Sequence, residues 1–246
     1  TLFFALHLLF LSHFAEICSM LTQRTQRKGY RRHETKKHSP AYYQEFEGTL
    51  PRRRLFADLP KRLRTAVCTR LSAQCTDARV NQVTPELFST YPTLEALAEA
   101  SVEDVGRIIH SCGLYQTKAR DLVACARMLL EQHGGKVPDT MEALTALPGV
   151  GRKTANLVLG DIFHKPAVVA DTHCIRITGR LGLTDGSKDP VQVEKQLRAV
   201  LPPEESSDFC HRMVLHGRAV CMARGPVCDR CLLKKDCDFA KANKIK

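Results

Sequence analysis

A helix, a glycine turn and a second helix are written into Leu147-Pro148-Gly149-Val150-Gly151-Arg152-Lys153-Thr154-Ala155-Asn156, and no other stretch constrains this chain as much. Upstream, Pro138 stops what precedes, Asp139 is the expected N-cap, and Glu142 follows three residues later as in a capping box. Apolar Met141, Leu144 and Leu147 recur at helical spacing until Pro148-Gly149 ends the run. Gly149 and Gly151 permit positive φ and carry no Cβ between the backbone and a partner. A second helix is expected from about Gly151 to Phe163, before Lys165-Pro166. Its first N–H groups would point outward at a positive dipole end, which suits one phosphate. An ordinary tight helix corner explains the two glycines equally well.

Lys153 shifts that balance. Lysine normally favours the last turn of a helix, because the first carries partial positive charge. Here it stands in the first turn beside Arg152, and both neighbours disfavour the ammonium form and favour a free, nucleophilic amine. A solvated lysine on a phosphate is the plainer alternative. About ten residues of helix lead away from Lys153, roughly 15 Å, and Ala167-Val168-Val169-Ala170 can return extended over a similar distance. Asp171 is therefore expected near the end where Lys153 began, and it also stands where an N-cap would open the helix of Ile175, Ile177 and Leu181. As a cap it needs no other role. Beside an amine facing a sugar, a carboxylate could also stabilise positive charge at C1′ and help deprotonate the amine.

Eleven cysteines are present, an odd number, and four of them form C-x6-C-x2-C-x5-C at Cys221, Cys228, Cys231 and Cys237. Four thiolates in one short segment can hold a tetrahedral zinc or a [4Fe–4S] cluster, and spacing alone favours the cluster only modestly. Two disulfides are the other option, disfavoured in a reducing compartment. The scattered Cys18, Cys68, Cys75, Cys112, Cys125, Cys174 and Cys210 read as small buried hydrophobes.

Taken together, LPGVGRKTAN, the Ala170-Asp171-Thr172-His173 segment and the four-cysteine spacing resemble the endonuclease III family of helix-hairpin-helix DNA glycosylases. Leu71-Ser72-Ala73-Gln74-Cys75-Thr76-Asp77, Gly113-Leu114-Tyr115 with Lys118-Ala119, and Leu215-His216-Gly217-Arg218 resemble it too, so the likeness runs from about Leu71 to Cys237. The resemblance implies action on duplex DNA carrying oxidised or ring-damaged pyrimidines or abasic sites. Lys153 would displace the base, form a Schiff base at C1′ and promote β-elimination, with Asp171 as the essential carboxylate. Gln74 would fill the space left by the flipped nucleotide and Leu114 would wedge open the stack. Gly149, Gly151, Arg152, His173, Arg218 and Arg224 would contact DNA, and the four cysteines would ligate a [4Fe–4S] cluster. Arg224 lies between Cys221 and Cys228, so a loop pinned by the cluster presents its cations to phosphates.

Helical periods recur at 85–100, 101–110, 116–133, 139–147 and 151–163 with little strand-like alternation, which predicts an all-α chain. By resemblance it would comprise two helical domains flanking a DNA cleft. A six-helix domain would span 55–165, with the hairpin near 139–163, and a cluster-bearing domain would combine 41–54 with 166–246. The formal net charge of +11 sits mostly in residues 1–70, with 14 Lys+Arg against 5 Asp+Glu; residues 71–246 carry 23 against 21. DNA affinity in the recognisable portion must then come from placed charges. Leu2 to Phe14 is apolar but too short to span a membrane, and no basic region precedes it. Arg24 to Lys37 is a basic run, and Pro51 to Arg64 carries cations where the resembling family has an apolar helix. Residues 1–40 are accordingly read as a disordered or mistranslated extension. A monomer in a bacterial cytoplasm, associated with the nucleoid and not with a membrane, completes the expectation.

Three rivals make different demands. An adenine glycosylase of the same superfamily would lack the hairpin lysine and carry an acid where Cys68 stands. A non-enzymatic helix-hairpin-helix module leaves Lys153, Asp171 and the four cysteines without a reason to coexist. A zinc-binding regulator would be colourless, whereas an iron–sulfur protein is brown.

Overall fold

Residues 61–73 and 75–245 are described by a computed structural model, and every regular element among them is helical. The all-α class read from the periodicity holds for these residues. The expected extension over 1–40, the 41–54 segment, Cys18 and Gln74 lie outside the described residues. Between Phe163 and His164 the described chain divides into two compact units.

The first unit runs α1 (Lys61–Ser72), α2 (Asp77–Thr90), α3 (Leu94–Glu99), α4 (Val102–Ile108), α5 (Tyr115–His133), α6 (Met141–Ala146) and α7 (Arg152–Leu157). Ala100 turns extended and Ser101 opens α4, its hydroxyl accepting from Asp104 N, which parts α4 from α3. The longest helix, α5, packs against α1, α3 and α4. Ala119, Leu122, Val123, Ala126 and Leu129 repeat at three- and four-residue intervals and are buried. Each buried leucine contributes roughly 1.5–3 kcal/mol, so Leu122→Ala would cost about 2–5 kcal/mol once the cavity is included. Gly134 and Gly135 close α5 in the left-handed region, with Gly135 N–H bonded to Leu129 O at 2.9 Å.

The second unit carries α8 (Thr172–Leu181), α9 (Pro190–Val200), α10 (Ser206–Ala219) and α11 (Asp238–Ala242), with 3-10 turns at Pro203–Glu205, Cys228–Arg230 and Lys234–Asp236. Helix α8 packs against α10 and α11. Asp189 caps α9 and Pro190 occupies its first position, where a missing N–H costs nothing. Ala167, Val168, Val169 and Ala170 are buried, and they bond to α10 side chains instead of to a strand. Ala167 N–H donates to Ser206 Oγ at 3.1 Å and Val169 N–H to Cys210 Sγ at 3.2 Å. Among the described residues no helix is long and apolar enough to cross a membrane.

Candidate active site and cysteine pocket

The hairpin begins one residue later than its sequence suggests. Thr140, not Asp139, caps α6: its backbone is extended and its Oγ1 accepts from Ala143 N at 3.3 Å. Glu142 is then the second helical residue and cannot close a capping box, which requires the third. Leu144 and Leu147, both buried, set this register. Leu147 leaves the helix extended, as a residue before proline does.

The two glycines do different work. Gly149 lies at φ +72°, and a Cβ there would strike the side chains of Arg70 and Asp121, which pair with each other. Gly151 has the same freedom but does not use it: it is extended at φ −86°, ψ 173°, a conformation open to any residue. What it offers is space. Nothing lies within 4 Å of where its Cβ would stand, and as N-cap it gives the first turn of α7 no side-chain acceptor. Helix α7 buries Ala155 and Asn156, then widens into a π turn over Val158–Ile162 that is also largely buried. Lys153 is left exposed in the first turn, with Arg152 exposed beside it.

Asp171 opens α8 as the sequence suggests. Its Oδ1 accepts from Cys174 N at 2.7 Å, and its Oδ2 lies 3.2 Å from His173 Nδ1. The carboxylate is mostly shielded, at 13% side-chain exposure, and both its oxygens are engaged. Gly217 of α10 lets His173 sit close, since a Cβ there would stand 2.6 Å from His173 Cδ2 and 2.9 Å from Arg176 Nη2. Arg218 and Arg224 are both exposed. Leu114 is 63% exposed and holds φ +59°, ψ 33° at the start of α5, a backbone state a leucine rarely adopts.

Cys221, Cys228, Cys231 and Cys237 line one pocket together with Arg180, His216 and Phe239. The Arg180 guanidinium lies 4.7 Å from the Phe239 ring centre and donates to Cys221 Sγ at 3.2 Å, Met222 O at 2.8 Å and Ala223 O at 3.1 Å. His216 Nε2 stands 3.6 Å from Cys231 Sγ. Burial pushes the Cys231 thiol up to about 11, with the other three cysteines adding to the rise. Among the described residues no three His, Cys, Asp or Glu side chains converge on a single ion position. Four thiols around one pocket are a donor set for either a tetrahedral ion or a polynuclear cluster. Elsewhere, burial raises the Cys68, Cys112 and Cys125 thiols to about 11, and Cys174 rises through its bond to Cys210 and its burial. These stay protonated at neutral pH.

Residues 67–203 match the family described as HhH-GPD superfamily base excision DNA repair protein. Endonuclease III of Synechocystis sp. is 45% identical over 178 residues, covering 72% of this chain and 81% of its own length. The enzyme of Escherichia coli K12 is 44% identical over 169 residues, 69% of this chain and 80% of its own. The chain belongs to this family. It is a base-excision DNA glycosylase with the endonuclease III fold. A solved structure of a trapped endonuclease III–DNA covalent intermediate superposes at TM-score 0.70, with 37% identity, covering 83% of this chain and 97% of that one.

Within this glycosylase, the first unit holds Lys153, Arg152, Gly149, Gly151 and Leu114, and the second holds Asp171, His173, Arg218, Arg224 and the four cysteines. Sequence reasoning missed Arg180, Gly217 and the Arg70–Asp121 pair beneath Gly149. Arg180 meets the cysteine segment across more than forty residues, so no local pattern announces it.

Proposed function

We propose that this glycosylase removes oxidised or ring-damaged pyrimidines from duplex DNA and then cleaves the strand by β-elimination. The observation that carries the reading is the exposed Lys153 amine in the first turn of a helix whose N-cap, Gly151, supplies no side chain. Phosphate bound at that turn, by backbone N–H groups and Arg152, would bring a sugar within reach of Lys153. Its Nζ attacks C1′, the N-glycosidic bond breaks, and the base leaves with the bonding electrons. The C1′–O4′ bond then breaks as the nitrogen loses a proton and O4′ gains one, which opens the sugar to a Schiff base. Loss of a proton from C2′ of that Schiff base expels the 3′ phosphate. Asp171 is the carboxylate that balances positive charge at C1′ and receives the amine proton. Covalent capture of DNA by a relative with 37% identity supports the covalent route.

Leu114, exposed and held in a left-handed turn, is an apolar wedge whose backbone is set before DNA arrives; by family resemblance Gln74 would fill the space left by the flipped nucleotide. His173, Arg218 and Arg224 contact the backbone. Cys221, Cys228, Cys231 and Cys237 hold a [4Fe–4S] cluster, with Arg180 donating to one sulfur; bound there, it would cross-link the segment, since base removal moves no electron. A bacterial cytoplasm, where thiols stay reduced, suits that ligand set.

Incubating the protein with duplex DNA bearing one thymine glycol tests the reading. Strand breaks should appear without alkali, and Asp171→Asn, which keeps the cap, should slow base release by about 10²–10⁴-fold. Base release with breaks only after alkali would contradict the lyase step.

A further inference from the structure

Lysine is among the residues least often fully buried, because an ammonium leaves water only at high cost. Lys118 is nevertheless 1% exposed. Its Nζ donates to the backbone carbonyl of Leu71 at 2.8 Å, across 47 residues of chain. Leu71 belongs to the last turn of α1, where carbonyls lack helical partners and the dipole end is negative, so the charge has a local reason to be there. Burial holds the ammonium below its ordinary range, while Cys75 and Cys112 oppose that shift and Arg70 adds to it.

The other end of the tie is equally specific. Lys118 N–H bonds to Leu114 O at 3.0 Å, so the lysine stands one turn beyond the exposed, left-handed Leu114. Beyond Leu71, the chain leaves α1 and within five residues reaches Thr76, the cap of α2. One ammonium thus joins the roots of two loops. Were it only filling space, a leucine or methionine would do so without the desolvation cost, as buried charges often can be replaced.

We propose that Lys118 is a positioning residue that fixes Leu114 against the loop leaving α1, so that the wedge is in place before the base is extruded. The proposal rests on the functional reading above, in which Leu114 enters the base stack. Preorganised insertion loops spare the complex the ordering cost at the moment of base extrusion.

The test uses the full-length protein with Lys118→Met and Lys118→Arg. Single-turnover base release from a thymine-glycol duplex is compared with cleavage of a duplex carrying a preformed abasic site. A 2-aminopurine beside the lesion reports unstacking, and a thermal melt reports folding. Lys118→Met should lose about 10–100-fold on the lesion together with the 2-aminopurine rise, yet less than about 3-fold on the abasic site, as misplacement without lost chemistry does. Lys118→Arg should recover most of that loss. Equal losses on both substrates, or a Met variant matching wild type, would overturn the proposal. Lys118→Gln gives the same comparison should the Met variant not fold. Wild-type protein inactive on both substrates would instead overturn the functional reading.

Discussion

The hairpin of residues 139–163 is held by what it buries, whereas the segment from Cys221 to Ile245 buries only Leu233 and Ala240 of its apolar side chains. Between Leu144 and Ile162 the first unit shields six apolar side chains, and α5 packs a continuous face onto its neighbours. Ordering one residue costs about 1–2 kcal/mol of backbone entropy, which two buried side chains cannot offset over twenty-five residues. The C-terminal segment is instead tied to α8 by Arg180, and its four cysteines line one pocket. One unit therefore carries an exposed amine on a self-supporting scaffold. The other, on the proposed function, is completed by the cluster that its four cysteines would hold.

The strongest way to break this contrast is to remove a ligand. Cys231→Ser should abolish visible absorbance and raise hydrogen exchange across 221–245, while amides of α5 keep full protection. Equal loss of protection in both units would show the first unit to be as dependent as the second. Next in size is Gly149→Ala, which meets both a positive φ and the Arg70–Asp121 pair; chemical denaturation should show a loss of about 2–4 kcal/mol. A smaller effect of opposite sign is expected at Leu114→Asn. Asparagine tolerates the left-handed region and can cap α5, so stability should rise by about 0.5–1 kcal/mol while base release slows. Unchanged base release would remove Leu114 from the wedge role. Smallest is Gly151→Ala, expected within about 0.5 kcal/mol by melting, with weakened duplex binding as its only marked consequence.

Much of the hairpin is legible in sequence because proline and glycine act locally. Pro148 ends α6 and Gly149 turns the chain, whatever surrounds them. The cap slipped from Asp139 to Thr140 because both residue types can cap, and burial of Leu144 and Leu147 decides between them. Gly151 is extended although glycine permits a positive φ, because permitting that conformation does not require it. Lys118 could not be foreseen as buried, since its partner is a carbonyl 47 residues away and lysine reads as surface. Asp171 was legible as a cap from the apolar period that follows it, but its second oxygen facing His173 depends on side-chain rotamers. The four cysteines announce a cofactor site by spacing alone; their arrangement around a cavity is a tertiary fact.

Borohydride trapping on duplex DNA containing thymine glycol tests the central claim most directly, comparing wild type with Lys153→Ala. The account predicts a covalent protein–DNA complex with wild type only, the adduct mapping to the peptide that contains Lys153, and equal melting temperatures for the two proteins. A complex that persists in Lys153→Ala, or none from a folded, cluster-loaded wild type that binds the duplex, would contradict it.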